Sequence, residues 1–320
     1  MPKSLTVRPE LLRLDLSGKL YIVTGANSGI GWETSRQLAA QGATVVMACR
    51  RIYEGEGAAA AIRAKHPAAK LDVQALDLGD LHSVRSFAKG ILNRYSRLDG
   101  LVNNAGVMNT ALGRTKDGFE TQFGINHIGH FLLTELLTDM LKVSAPSRVA
   151  ILASSAHEQV LGRKAEIHFD DLNFEHRKYD GWEAYSQSKL ANVLHARELA
   201  RRLSGTGVVI GSIHPGVVHT NLFKTTIPPW LHNYVLRPVL RLVGMMIEPW
   251  EGAQTTLHVL LAPEVAQQSG AFFSQASGSY KDKRANRGGW PMESPNPLAR
   301  DDETAQRLWG ASAKLVGLSA

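Results

Sequence analysis

Leu20-Tyr21-Ile22-Val23-Thr24-Gly25-Ala26-Asn27-Ser28-Gly29-Ile30-Gly31 decides how this chain folds. Five residues suited to a buried strand run into a turn with three glycines, and the pattern beyond predicts a helix through about Ala40. Further apolar runs follow: Ala43 to Ala48, Leu71 to Leu76, Leu98 to Asn103, Arg148 to Ala153 and Val208 to Ile213. Helical segments are expected between them, over 54–65, 80–95, 119–142 and 182–203. Apolar strands alternating with helices require a parallel sheet covered on both faces. Right-handed crossovers then give an α/β, single-domain Rossmann fold with a doubly wound parallel sheet. Its ligand site lies at the carboxyl ends of the strands.

The chain has 320 residues, enough for one large domain with a full core. No internal repeat, low-complexity tract or linker marks a second domain. The expected division is an N-terminal extension over 1–17 and one domain over 18–320. Two stretches break the alternation. Residues 156–181 are long and polar, and residues 222–250 carry four prolines among bulky apolar side chains. Charged residues from Lys3 to Asp15 interrupt any signal-peptide core, and no apolar run approaches the ~20 residues of a membrane span. Cys49 is the single cysteine, which excludes an internal disulfide and fits a reducing, cytoplasmic compartment. The formal charge of +7 favours anionic ligands, phosphate-bearing cofactors or an anionic membrane surface. The basic residues are scattered, without a run interleaved with aromatics, which argues against nucleic acid.

Glycines in a strand-to-helix turn let backbone N–H groups approach a pyrophosphate, and the helix adds its positive end. The spacing is Gly-x3-Gly-x-Gly over Gly25, Gly29 and Gly31, with Asn27, Ser28 and Ile30 between. In this the sequence resembles the short-chain dehydrogenase/reductase family. The second strand ends at Cys49-Arg50-Arg51, where a carboxylate would select NAD. Guanidinium groups there suit a 2′-phosphate, so NADP(H) is the expected cofactor. By the same resemblance Asp77 and Leu78 reach the adenine, and Asn104, Ala105 and Gly106 continue the nucleotide site. Pro215, Gly216, Val218 and Thr220 form the turn on the nicotinamide side.

Tyr185 and Lys189 are four apart at the start of a predicted helix and project from one face. A nearby ammonium favours phenolate, so the tyrosine is expected to be acidified toward neutral pH. The resemblance makes Tyr185 the proton donor or acceptor and Lys189 the ribose-binding residue, and both also serve the cofactor. It makes Ser155 the partner of the substrate oxygen, with Ser154 the alternative, and Asn126 the anchor of a water relay to the lysine. No Gly-x-Ser-x-Gly elbow surrounds the serines, which argues against a hydrolase. His127 and His130 lack a completing ligand set, so no metal is expected. Asp301-Asp302-Glu303 reads as the acidic first turn of the last helix.

The resemblance runs from Gly18 to about Leu315 and is closest to the retinol-dehydrogenase-like branch. It rests on Met47-Ala48-Cys49-Arg50, Asn126 to Phe131, Ser188 to Leu194 and Thr304 to Trp309. That branch implies a small lipophilic carbonyl or alcohol substrate: a retinoid, a steroid, or an aliphatic or aromatic aldehyde or ketone. Many of its members carry an N-terminal membrane anchor, for which residues 1–17 offer no apolar run. The segment near 222–250 is read as a substrate lid, a peripheral membrane contact or a homodimer surface, three readings that stand side by side. Two other functions stand beside this one. One is a light-driven protochlorophyllide-type reductase. The other is a nonenzymatic NADP-binding scaffold protein, which an intact Tyr185, Lys189 and Ser155 set disfavours.

Overall fold

The apolar runs pair side by side. In the computed structural model, which describes residues 4–218 and 246–319, β1 (Leu20–Thr24), β2 (Thr44–Cys49), β3 (Lys70–Ala75), β4 (Gly100–Asn103) and β5 (Ser147–Leu152) supply one half of the main sheet. A separate hairpin, β6 (Gln159–Val160) and β7 (Arg163–Lys164), follows. Then β8 (Val208–His214), β9 (Phe272–Ser274) and β10 (Gly289–Met292) complete the sheet. Its order is β3-β2-β1-β4-β5-β8-β9-β10, and β10 alone runs antiparallel to its neighbour. Strand order reverses between β1 and β4, which opens a crevice at their carboxyl ends.

The helices are α1 (Gly29–Ala40), α2 (Ile52–Lys65), α3 (Leu81–Arg94), α4 (Thr121–Phe123), α5 (Gly129–Val143), α6 (Gly181–Arg202), α7 (Pro249–Leu261) and α8 (Asp302–Leu315). They divide into two layers, each with its own core. One core joins α3, α5, α6 and α8 through Phe87, Phe131, Leu190 and Trp309. The other joins α1, α2 and α7 through Leu38, Ile62 and Leu257. Burying a side chain such as Phe131 contributes about 2–3 kcal/mol, so the two layers secure the sheet from both faces. The predicted helix over 119–142 is broken by a π-helical turn, Gly124–Ile128, between α4 and α5.

The extension over 1–17 is stitched to the domain. Val7, Leu11 and Leu16 are buried. The Leu5 N–H donates to Gln275 Oε1 at 2.5 Å, and Gln275 Nε2 donates to the Leu5 carbonyl at 2.8 Å. Ser4 Oγ donates to Glu251, and the Val7 N–H donates to Gln254, both on α7. Most of the expected 222–250 segment lies outside the described residues. Its final part joins the domain: Met246 is buried, Ile247 pairs with Val218, and Glu248 with Glu251 caps α7. Among the described residues no helix is long and apolar enough to cross a membrane.

Candidate active site

The glycine turn leaves β1 at Thr24. Gly25 has φ +64°, and a side-chain carbon there would lie 3.0 Å from Ala105. At Gly31 a Cβ would meet Asn104 Nδ2 at 2.5 Å and the Gly25 carbonyl at 2.6 Å. Ser28 stands at the N-cap of α1 with extended backbone and no side-chain capping bond. The first turn of a twelve-residue helix is thus left uncapped by its own side chains, which fits a pyrophosphate.

Thr24 ties the turn to the second nucleotide segment. Its Oγ1 accepts from the Asn104 and Ala105 N–H groups, both at 2.9 Å. Asn104 Nδ2 in turn donates to the Thr24 carbonyl at 2.6 Å. His130 Nε2 lies 2.9 Å from Thr24 Oγ1, and its Nδ1 lies 3.1 Å from the Asn126 carbonyl. A carbonyl only accepts, so Nδ1 carries the proton and Nε2 accepts from the threonine hydroxyl. Burial holds this ring neutral, its pKa pushed down to about 3. Thr24 and His130 therefore brace the two nucleotide segments, a structural role for His130 and one that the sequence did not indicate for Thr24.

At the adenosine end, β2 closes on buried Cys49, a free thiol raised to about 11 by desolvation. Arg50 is exposed and has no partner among the described residues. Arg51 differs: its Nη2 pairs with Glu54 at 2.6 Å, and Glu54 also accepts from Asn27 Nδ2 at 3.1 Å. Asp77 accepts from the Gly79 N–H at 2.9 Å, and Leu78 is buried.

Asp180 caps α6, accepting from the Trp182 and Glu183 N–H groups. This sets the helix so that Tyr185, Ser188, Lys189 and Asn192 turn inward, all buried. Lys189 Nζ lies 5.7 Å from the centroid of the Tyr185 ring and donates to the Leu152 carbonyl at 3.1 Å. Asn192 donates to the same carbonyl at 2.9 Å. Gly106 brings the nucleotide segment against this face: a Cβ there would lie 3.1 Å from Asn126 Oδ1 and 3.6 Å from Lys189 Nζ.

The protein's own groups do not acidify Tyr185. Burial raises the phenol to about 12 against a lowering by Ser154, and burial lowers the Lys189 ammonium to about 8. Losing water penalises either charged form, and among the described residues no carboxylate pairs with the lysine to offset this.

Asn126 sits in the π-helical turn. Its Oδ1 accepts from the Val107 N–H at 2.8 Å, and its Nδ2 donates to the Val107 carbonyl and to Ser188 Oγ, each at 2.9 Å. The two serines face different partners. Ser154 is the hydroxyl that bears on Tyr185, whereas Ser155 Oγ lies 2.7 Å from Ser279 Oγ. The Ser155 N–H donates to His214 Nδ1 at 3.1 Å. Pro215, Gly216 and Val218 follow β8 to the same edge. Gly216 has φ +89°, with Ile247 and Gln275 packed where a side chain would stand. Thr220 lies outside the described residues.

His127 is structural, its Nε2 2.8 Å from Ser312 Oγ on α8, and no metal-binding group occurs among the described residues. Asp301 caps α8 by accepting from the Thr304 N–H at 2.8 Å. A cleft of about 740 Å³ opens far from this edge, where α6 ends and β8 begins. Its Arg197 and Arg201 are already paired with Asp302 and Glu198.

The sequence profile described as short chain dehydrogenase matches residues 19–165. Retinol dehydrogenase 12 of Homo sapiens is 44% identical over 306 residues, covering 95% of this chain and 88% of that protein. Human retinol dehydrogenase 13 is 44% identical over 310 residues, covering 95% and 86%. Among solved structures, an uncharacterised protein from Mycobacterium paratuberculosis is 35% identical, covers 96% of both chains and superposes with a TM-score of 0.73. The molecule is thus an oxidoreductase of the kind that uses a nicotinamide dinucleotide, NAD or NADP, and acts on alcohols. This chain belongs to the short-chain dehydrogenase/reductase family, in its retinol-dehydrogenase-like branch.

Proposed function

We propose that this chain is an NADP(H)-dependent oxidoreductase that interconverts a carbonyl and an alcohol on a small lipophilic substrate, with Tyr185 as general acid and base. The observation that carries this reading is the buried Tyr185–Lys189 pair on α6, facing Gly106 at the crevice between β1 and β4. Arg50, exposed and without a partner among the described residues where a carboxylate would stand, supports NADP over NAD. Gly25 to Gly31 and the start of α1 would hold the pyrophosphate. Asp77 and Leu78 would flank the adenine, Asn104 to Gly106 would line the cofactor, and Pro215, Gly216, Val218 and Thr220 would face the nicotinamide.

When bound, the nicotinamide supplies or accepts the hydride. The rest falls to the chain. Ser154, the alternative to Ser155 in the sequence, bears on Tyr185 and would share the substrate oxygen with it, polarising a carbonyl before it is reduced, while Ser155 is turned to Ser279. Tyr185, a neutral phenol in the buried site, hands its proton to the forming alkoxide. Lys189 holds the ribose hydroxyls and lowers the cost of the phenolate left behind. Asn126 fixes the Gly106–Val107 segment against both.

The substrate class follows the relatives named as retinol dehydrogenases: a retinoid, a steroid ketone, or an aliphatic or aromatic aldehyde. Cys49, free and buried, suits a cytoplasmic setting. The test is a screen of retinal, a ketosteroid and a medium-chain aldehyde with NADPH and with NADH, following cofactor oxidation by absorbance. Consumption of NADPH with at least one of them is expected. A preference for NADH would overturn the role given to Arg50, and inactivity throughout would overturn the oxidoreductase reading.

A further inference from the structure

Two buried imidazoles hold opposite ends of one peptide unit, the bond between Ser154 and Ser155. The Ser154 carbonyl accepts from His157 Nδ1 at 2.5 Å, and the Ser155 N–H donates to His214 Nδ1 at 3.1 Å. These two bonds fix opposite tautomers. A carbonyl only accepts, so His157 carries its proton on Nδ1, and its Nε2 accepts from Ser294 Oγ at 2.7 Å. An amide N–H only donates, so His214 Nδ1 is bare and its proton sits on Nε2. Burial keeps both rings neutral, lowering His157 to about 4 and His214 to about 3. The His214 Nε2 proton has no partner among the described residues. A leucine would fill that space without burying an unpaired N–H, so packing alone does not account for an imidazole there.

We propose that His157 and His214 are positioning residues for carbonyl polarisation: by gripping the Ser154–Ser155 peptide at both ends, they aim the Ser154 hydroxyl at the oxygen it shares with Tyr185. This rests on the oxidoreductase reading above. A peptide unit is planar, so holding its carbonyl and its N–H leaves it no rotation. The Ser154 Cα lies in that plane, and its side chain is aimed with it. The hydroxyl bears on Tyr185 and accepts from the Ala156 N–H at 3.2 Å, inside the same clamped turn. Neither imidazole touches the substrate. A hydrogen-bond donor stabilises developing charge only when its direction is set beforehand, so slack in the clamp slows turnover rather than weakening binding.

The test uses the full chain with NADPH and benzaldehyde. His214→Leu keeps the bulk and removes the acceptor; it should lower kcat about tenfold, the scale of one lost hydrogen bond, with KM and NADPH affinity near the wild-type values. His214→Asn can set an amide oxygen where Nδ1 stands and should restore most of kcat. The same two substitutions at His157 should behave alike, the amide nitrogen there replacing the donor. Ser154→Ala should lower kcat about a hundredfold. In that background His214→Leu should slow turnover by only about twofold or less, because both changes act through one hydroxyl. An active wild type with an equally fast His214→Leu would overturn the proposal, as would the same tenfold loss with and without the Ser154 hydroxyl. So would a His214→Asn variant that melts like the wild type yet stays tenfold slow, whether or not the leucine variant folds. A wild type that reduces neither benzaldehyde nor the screened substrates would instead sink the oxidoreductase reading, and this inference with it.

Discussion

Lys189 carries its ammonium 5.7 Å from the centroid of the Tyr185 ring, and both side chains are buried. Desolvation draws each toward its neutral form, the phenol up to about 12 and the ammonium down to about 8. Tyr185 therefore meets a carbonyl as a protonated acid. Replacing it, Tyr185→Phe, should lower turnover about a thousandfold, the scale of a lost acid-base group, with NADPH binding retained. A mutant that keeps its rate would exclude Tyr185 as the proton donor.

The lowered lysine makes binding pH-dependent. Its folded value lies near 8, so its charge is present below that pH and lost above it. NADPH affinity, followed by fluorescence titration, should weaken as pH rises through about 8. In Lys189→Met this limb should be flat. A wild-type profile without it would show that the ammonium plays no part in holding the cofactor.

Arg50 and Arg51 are adjacent but not equivalent. Glu54 occupies Arg51, while Arg50 has no partner among the described residues. Arg50→Ala should weaken NADPH by about tenfold or more, as expected for a lost charge-assisted bond, and leave NADH almost unchanged. Equal weakening of both cofactors would mean that Arg50 does not read the 2′-phosphate.

Buried imidazoles govern acid stability. His127 and His157 are lowered to about 4 and His130 and His214 to about 3, while His195 lies well below its ordinary value, all chiefly by burial. With folded values below the unfolded one, the unfolded chain binds more protons. Their contribution is complete above about pH 6.5 and is lost as pH falls toward 4. Each adds a slope of up to about 1.4 kcal/mol per pH unit. Glu135, raised to about 7 by burial, acts in the opposite sense and offsets part of this. The melting temperature should drop steeply on acidification. His195→Leu, which removes two unpartnered ring nitrogens, should make that drop shallower. An unaltered profile would refute the assignment.

Thr24→Val removes the hydroxyl that serves Asn104, Ala105 and His130. Leaving such groups unpaired costs about 2–3 kcal/mol, to be read from denaturant unfolding. Thr24→Ser should recover most of it. A valine variant as stable as wild type would show that the threonine is not the tie between the two nucleotide segments.

What could be foreseen was local. The run Leu20–Thr24 and its glycine turn carry fold and cofactor class within twelve residues, and helical spacing puts Tyr185 and Lys189 on one face, their role following from the family resemblance. The helix over 182–203 is found at Gly181–Arg202 because Asp180 caps it. Features set by distant partners were not legible. β9 has three residues and is defined by its pairing with β8 and β10. The π turn at Gly124–Ile128 shifts hydrogen bonds without altering the apolar pattern. The split between Ser154 and Ser155 depends on Ser279, more than a hundred residues along the chain.

Ser4–Val7 is laced to Gln275 and α7, and Gln275 packs against Gly216. Any polypeptide joined ahead of Ser4 therefore emerges beside the turn expected to face the nicotinamide. A fusion partner, an affinity tag or a surface tether at that end would crowd the entrance, whereas one joined after α8 would leave by another route.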